Sequence, residues 1–383
     1  MLKNVKIENF RGFQSFELQQ LGRVNLLVGT NNSGKTSILE AIQLLCSRNN
    51  LEPLAEVMIN RGEYFFNEDR RLPRDRDLDI CHLFYSHEIQ AGSKFLISGV
   101  NNNINEEVTG TIQIGLLNLN KDLNISPEEQ LNSFDENSFD GTFNDLRKID
   151  FTLQWNDDNT KKLDIWKFPL SGSGGISERY IRRRSPISTK NSVTKTQFVT
   201  SSSLTTQKMI ELFNEVVLTP EEELLKESLQ TIEPKIERIA SIATERYRDS
   251  DSRGGFFVRL SDTSQRVPIG SLGEGVWRML GLALATVCAS DGVLFIDDID
   301  TGLHFSVMSD MWKLVCKTAK RLNVQVFATT HNSDCWTSLA NIAREEGSED
   351  GITIQRIEKN KSIAVAFTEP EIIIAAQRGI EVR

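Results

Sequence analysis

The stretch Val24-Asn25-Leu26-Leu27-Val28-Gly29-Thr30-Asn31-Asn32-Ser33-Gly34-Lys35-Thr36-Ser37 decides the fold. An apolar run enters a glycine, as a buried strand does. From Gly29 to Thr36 the residues match G-x-x-x-x-G-K-[ST] at every fixed position. From Ser37 to Cys46, the residues Ile38, Ala41, Ile42 and Leu45 fall on one helical stripe. Small residues at Gly29, Ser33 and Gly34 let backbone N–H groups turn inward around phosphate oxygens, and the helix presents its positive end to the same anions. The expected ATP ligands are Gly29, Asn31, Asn32, Ser33, Gly34, Lys35, Thr36 and Ser37. Lys35 is expected on the β- and γ-phosphates, where it counts as catalytic, and the Thr36 hydroxyl on Mg²⁺.

Such a loop needs a carboxylate for the metal. Val293-Leu294-Phe295-Ile296-Asp297-Asp298 supplies a buried strand ending in two acids. Asp297 is expected to hold Mg²⁺, and Asp298 to orient or deprotonate the attacking water.

Outward from these points the chain reads as strands over residues 1–28, with a turn at Arg11-Gly12. Phe256–Leu260 reads as a strand, Glu274–Ala289 as a helix, Gly292–Ile296 as a strand, Met308–Arg321 as a helix and Val324–Thr330 as a strand. Strand, helix, strand at these lengths predicts parallel βαβ units. Between them the pattern is weaker. Phe151–Trp155 alternates as an antiparallel strand, Thr205–Arg248 has helical composition, and Pro234 is expected to begin or kink a helix. The predicted organisation is a first lobe over 1–100, an insertion over 101–255 that is β-rich and then helical, and a second lobe over 256–383.

The chain has 383 residues, a net charge of −9 and five scattered cysteines. The odd cysteine count argues against a disulfide framework, and no two cysteines sit at metal-ligand spacing. The acidic balance disfavours a protein that coats nucleic acid nonspecifically. The apolar stretches are short, and the N-terminus lacks the apolar core of a signal peptide, so a cytoplasmic protein without a membrane partner is expected.

Further segments carry a family resemblance. Asn9-Phe10-Arg11-Gly12-Phe13 resembles an N-terminal strand signature, Ser271-Leu272-Gly273-Glu274-Gly275 a signature loop, Asp300-Thr301-Gly302-Leu303-His304 a D-loop, and Ala328-Thr329-Thr330-His331-Asn332 a switch-histidine strand. The terminal Gly379–Arg383 resembles the end of many stand-alone members. With roughly 260 residues between Lys35 and Asp297, the chain resembles ABC-type ATPase heads of the SMC/RecF class, and more closely the ATPase module of OLD-type (overcoming lysogenization defect) proteins. The resemblance implies an α/β P-loop NTPase of ABC-ATPase head type, with helices on both faces of a mixed sheet and an antiparallel N-terminal lobe. It implies that Arg11 approaches the nucleotide and that His331 senses the γ-phosphate. It also implies that Ser271, Gly273 and Glu274 close over ATP from a second copy, as a homodimer. Gln90 is the candidate for the glutamine that reaches Mg²⁺. His304 is expected either at a dimer interface or as a helix cap, and His82 and His87 as surface or structural residues. Where most members have glutamate this chain has Asp298, one methylene shorter, which implies slow hydrolysis.

The chain ends about 50 residues after His331, where an OLD nuclease would continue into a Toprim domain, so a separate effector protein is expected. Three roles stay open: an ATPase sensor or scaffold subunit, as in antiphage defence; a DNA-repair ATPase that clamps DNA, with Arg182-Arg183-Arg184 and the Arg70–Arg76 cluster on phosphate; and a weakly catalytic ATP-binding interaction module.

Overall fold

The computed structural model describes residues 1–48, 50–66, 76–116, 147–158, 163–171, 174–184, 194–242, 255–346 and 351–383. The strands are β1 (Leu2–Phe10), β2 (Phe13–Leu18), β3 (Val24–Val28), β4 (Tyr64–Phe66), β5 (Arg76–Asp79), β6 (Lys94–Asn101), β7 (Ile104–Leu116), β8 (Arg147–Asp157), β9 (Leu163–Pro169), β10 (Gly175–Ser177), β11 (Thr196–Val199), β12 (Ile236–Ser241), β13 (Phe256–Leu260), β14 (Arg266–Pro268), β15 (Val293–Ile296), β16 (Gln325–Thr330), β17 (Ile352–Arg356) and β18 (Val365–Phe367). The helices are α1 (Lys35–Ser47), α2 (Glu52–Asn60), α3 (Glu178–Arg184), α4 (Thr206–Val216), α5 (Glu222–Gln230), α6 (Glu274–Cys288), α7 (Met308–Arg321), α8 (Ser333–Glu346) and α9 (Glu369–Arg378).

Two six-stranded sheets organise these elements. One is antiparallel, in the order β2-β1-β6-β7-β8-β9. The other has the order β11-β15-β16-β3-β17-β18 and is parallel except for the β17–β18 pair. Alternation along the parallel strands separates two cores, because successive side chains point to opposite faces. Leu26, Val28, Leu294, Ile296, Val326 and Ala328 pack on the side of α4 to α9. Leu27, Val293, Phe295 and Phe327 pack on the side of α1 and the antiparallel sheet. On that second face Phe198, Phe295 and Phe327 stack across three strands, with ring centroids 5.9 Å apart at each step. Among the described residues no helix is long and apolar enough to cross a membrane.

Helix α1 lies between the two sheets. The sequence predicts one apolar stripe, but Leu39, Leu44 and Cys46 are buried as well as Ile38, Ala41, Ile42 and Leu45. A helix covered on two sides loses the polar face of a surface helix. The sheets are also tied directly. The Gln325 amide at the start of β16 donates to the carbonyls of Leu2 (2.9 Å) and Gly22 (2.8 Å) and accepts from the Leu2 N–H (2.8 Å).

Residue 100 lies near the end of β6, which pairs with β7; β7 pairs in turn with β8, and β8 with β9. From within residues 101–255, β11 joins the parallel sheet beside β15 and β12 pairs with β13. Composition changes along this chain mark loops, while strand pairing is non-local. One expectation needs correction. Pro234 starts no helix: Ile236 and Ile239 are buried in β12, which pairs antiparallel with β13.

A buried charge network joins α1 to the first lobe. Glu40 is fully buried and contacts the Arg11 guanidinium and, at 2.9 Å, that of Arg61. Arg11 also grips Glu63 with two hydrogen bonds of 2.8 and 3.0 Å, the bidentate geometry that suits guanidinium and carboxylate. Burial lifts the Glu40 carboxyl to about 7, outweighing the pull of Arg11 and Arg61 in the other direction. A carboxyl raised in the folded state makes that state bind more protons than the unfolded chain between its ordinary value of 4.5 and about 7. Its stabilising contribution is complete below that window and lost as pH rises through it. Urea midpoints of wild type and Glu40→Gln at pH 5, 6, 7 and 8 should therefore diverge, the variant gaining on wild type by roughly 1–3 kcal/mol across the series. A constant difference would rule out Glu40 as the titrating group.

Candidate nucleotide site

The parallel register brings the site together. Val28 pairs with Thr330 and Ile296 pairs with Ala328, so the loop after β3, the acids after β15 and the end of β16 lie side by side at the carboxyl ends of the strands. Open α/β sheets place ligands at this edge.

The loop from Gly29 to Thr36 turns into α1 through Asn32 (φ 58°) and Gly34 (φ 92°). Gly34 is required twice over: its φ is left-handed, and a Cβ there would stand 2.3 Å from the Phe13 ring. Asn31 and Asn32 are exposed, Ser33 is buried and Ser37 is half-buried in the first turn of α1. The Lys35 ammonium is held over the loop by the carbonyls of Gly29 (2.9 Å) and Thr30 (3.0 Å). Burial lowers its pKa, while Asp298 and Asp297 oppose that shift. The Ser33 hydroxyl is buried with no hydrogen-bond partner among the described residues. An orphaned donor inside a loop of inward N–H groups is what a phosphate oxygen would satisfy.

The acids are organised by hydroxyls. Thr36 Oγ1 lies 3.1 and 3.0 Å from the two Asp297 carboxylate oxygens. Thr329 Oγ1 donates to Asp297 Oδ1 at 2.7 Å and accepts the Asp298 N–H at 2.8 Å. Burial raises the Asp297 pKa and nearby Asp298 adds to it, with the Thr329 and Thr36 hydroxyls working against the shift. A hydroxyl and a carboxylate side by side are hard oxygen donors, the set that suits Mg²⁺. Asp298 sits in the left-handed region at φ 44°, which aspartate tolerates better than most residues. Its Oδ1 lies 3.4 Å from His331 Nδ1. Beyond it, Thr330 Oγ1 donates to Asp300 Oδ1 (2.6 Å), and Arg383 donates to the His331 carbonyl (2.6 Å).

Arg278 and Thr329 were not singled out from sequence. Arg278 is a lone cation in the apolar run of α6, 2% exposed. Its guanidinium donates to the carbonyls of Asp297 and Asp298 (3.0 Å each) and Thr200 (2.5 Å). Burial lowers its pKa to about 10 against the pull of Asp297 and Asp298, so it stays charged at neutral pH beneath the acids. An arginine amid apolar helix residues, and a threonine at the buried end of a strand, are the signals that mark these two.

Other expected site residues stand apart from this hydrogen-bonded group. Arg11 is 3% exposed and is engaged by Glu40 and Glu63. Gln90 is exposed in a turn, its N–H bonded to the Ser93 hydroxyl (2.8 Å). Ser271, Gly273 and Glu274 form an exposed ledge at the start of α6, where Gly302 packs against the Glu274 side chain. His304 is a cap: its Nδ1 accepts the Ser306 N–H at the start of a short 3₁₀ turn over Phe305–Val307. The side chains of Arg182, Arg183 and Arg184, and Arg70, Arg71, Arg74 and Asp75, lie outside the described residues.

The chain is 22% identical to an ATP/GTP phosphatase of Helicobacter pylori over 361 residues, covering 90% of this chain and 89% of that protein. It is 41% identical over 66 residues to the DNA replication and repair protein RecF of Chlorobium luteolum, 17% of this chain and 18% of that one. Among solved structures, an Smc head domain with an extended coiled coil, derived from Pyrococcus furiosus and bound to the C-terminal domain of ScpA, aligns over 99% of each chain with a TM-score of 0.47 and 10% identity. Residues 1–335 match the AAA ATPase domain family. With its phosphate loop, paired acids and strand-end histidine on one sheet edge, the chain belongs to the AAA ATPase domain family and is an ATPase of the SMC/RecF-like ABC type.

Proposed function

We propose that this ATPase is a slow switch: it binds ATP with Mg²⁺ at Gly29–Thr36 and Asp297, hydrolyses it through Asp298, and closes as a homodimer to govern a separate effector protein. The observation that carries the reading is the continuous group Thr36, Asp297, Thr329, Asp298 and His331. Lys35 and the loop amides bind the β- and γ-phosphates. Mg²⁺ on Thr36 and Asp297 supplies charge that offsets the phosphate oxygens. Thr329 holds Asp297 with its proton and the Asp298 backbone with its lone pair. Asp298 takes the proton of the attacking water as the bond to ADP breaks, and His331 beside it reaches the γ-phosphate.

The dimer reading is supported by the ledge at Ser271–Glu274. It exposes the N-terminus of a 15-residue helix, an anion site that its own chain leaves open to solvent. Phe305, on the neighbouring loop, is 63% exposed, an apolar group suited to burial against a second copy. The effector role, including one in antiphage defence, rests on resemblance to stand-alone OLD-type ATPases. A DNA-clamping role is the second reading, favoured by the local match to RecF.

Phosphate release and fluorescent-nucleotide binding test the site. Lys35→Ala should lose both binding and turnover, and unchanged turnover would place the active site elsewhere. Asp298→Ala should bind ATP and fail to hydrolyse it. If the reach of Asp298 limits the rate, Asp298→Glu should raise turnover, by up to about 100-fold. A folded, ATP-binding Asp298→Glu protein with no gain sinks the slow-switch explanation.

Light scattering on Asp298→Ala with and without MgATP tests assembly. A dimer is expected with ATP only, and Phe305→Asp should return it to monomer. A monomer in both states contradicts the composite site. ATP-dependent, salt-sensitive DNA binding by the same trapped protein would move the role from effector control to DNA clamping.

A further inference from the structure

On the far side of the Arg11 network, β5 ends at Asp79 and the chain turns through a short 3₁₀ helix, Ile80–Leu83. Asp79 caps this helix with one oxygen, Oδ1 accepting the Cys81 N–H at 3.2 Å. Its second oxygen is left for another partner, and Oδ2 lies 3.3 Å from His82 Nε2. Residues three apart eclipse one another in a 3₁₀ helix, which is why Asp79 and His82 meet. The thiol of Cys81 lies near both: one carboxylate oxygen, the sulfur and one imidazole nitrogen are all within 4.8 Å of one another. The next turn brings in a second imidazole. Ser86 (φ 69°) and His87 (φ 58°) are both left-handed and fold the chain back, so that His87 Nδ1 stands 3.3 Å from His82 Nδ1. The side chains are reachable from solvent, with His82 36% and Asp79 16% exposed.

We propose that Asp79, Cys81 and His82 form a binding site for a borderline-soft divalent cation of the Zn²⁺ class, with a fourth position open to water and His87 as a positioning residue. Oxygen, sulfur and nitrogen donors together select such an ion over Mg²⁺, which prefers oxygen alone. Ligand atoms of a tetrahedral zinc site stand about 3.3–3.8 Å apart, given metal–ligand bonds near 2.0–2.3 Å, so about 1 Å of closure completes this one. Binding through Nε2 leaves the proton of His82 on Nδ1, where His87 Nδ1 accepts it. Such a partner on the far nitrogen orients the ligating ring. The Cys81 thiol gives its proton to solvent as the sulfur takes the metal. The site is separate from the nucleotide site, and its test does not depend on the ATPase reading. It lies beside backbone that carries Arg11, since the carbonyls of Leu83 (3.0 Å) and His82 (3.4 Å) accept from that residue. A bound ion would therefore stiffen the support of the Arg11–Glu40 pair on α1.

The experiment is Co²⁺ and Zn²⁺ titration of the full chain, stripped with chelator, in excess Mg²⁺ so that the oxygen site at Thr36 and Asp297 is occupied. One equivalent of Co²⁺ should give thiolate-to-metal charge-transfer absorption and the strong visible bands of a four-coordinate ion, and Zn²⁺ should displace it. Cys81→Ser should abolish the charge-transfer band, and His82→Ala should lower zinc affinity by at least 100-fold in competition with a chromogenic chelator. His87→Ala should keep the band and weaken affinity by roughly 10–100-fold. No charge-transfer band in the wild-type protein, or a band that survives in Cys81→Ser, overturns the proposal. So does unchanged zinc affinity in His82→Ala.

Discussion

The Asp297 carboxylate, held between the hydroxyls of Thr36 and Thr329, is the contact on which the site depends. It joins the first turn of α1 to the ends of β15 and β16. A buried carboxylate is costly without hydrogen-bond partners, and these two hydroxyls supply them. The same threonine accepts the Asp298 N–H, so the left-handed backbone of Asp298 is set by the contact that fixes Asp297. From below, Arg278 takes the carbonyls of both acids. Thr329 thus restrains a side chain and the main chain of this corner together, and Arg278 holds the main chain from the other side.

That corner could not form without the two-faced parallel sheet. Each central strand contributes alternately to a core under α4 to α9 and to a core around α1. Moving β16 by one residue relative to β3 would turn Phe327 away from the phenylalanine stack and carry Thr329 away from Asp297, because side chains alternate along a strand. Packing and chemistry therefore select the same register. The antiparallel sheet closes over α1 and is fastened through Gln325 and through Arg11, Glu40, Arg61 and Glu63.

Much of this was legible beforehand because it is local. A strand, a glycine-rich turn and a helix are adjacent in sequence, and so are a buried strand and the acids that end it. Met308–Arg321 and Phe256–Leu260 were placed at their observed limits from periodicity alone. What escaped notice was non-local. No periodicity reveals that β11 will lie beside β15 or that β8 will extend the sheet begun by β1. Pro234 reads as the start or kink of a helix, yet the pairing of Ile236–Ser241 with β13 decided that segment. Resemblance alone implies that Arg11 approaches the nucleotide, while its two acidic partners, one on α1 and one before β4, reach it only when the chain folds.

The sequence by itself determined the chemistry of the phosphate loop, the acids and the strand-end histidine, because each is a residue type at a fixed distance from a strand end. Only the tertiary structure decided which of them touch. It gave Asp297 its two hydroxyls and set Arg278 under the acids, while Arg11 went to Glu40. The physical reason is the same in every case. A charged group in a protein finds its partner across elements, and strand register and burial, rather than neighbours in the chain, determine which partner is within reach.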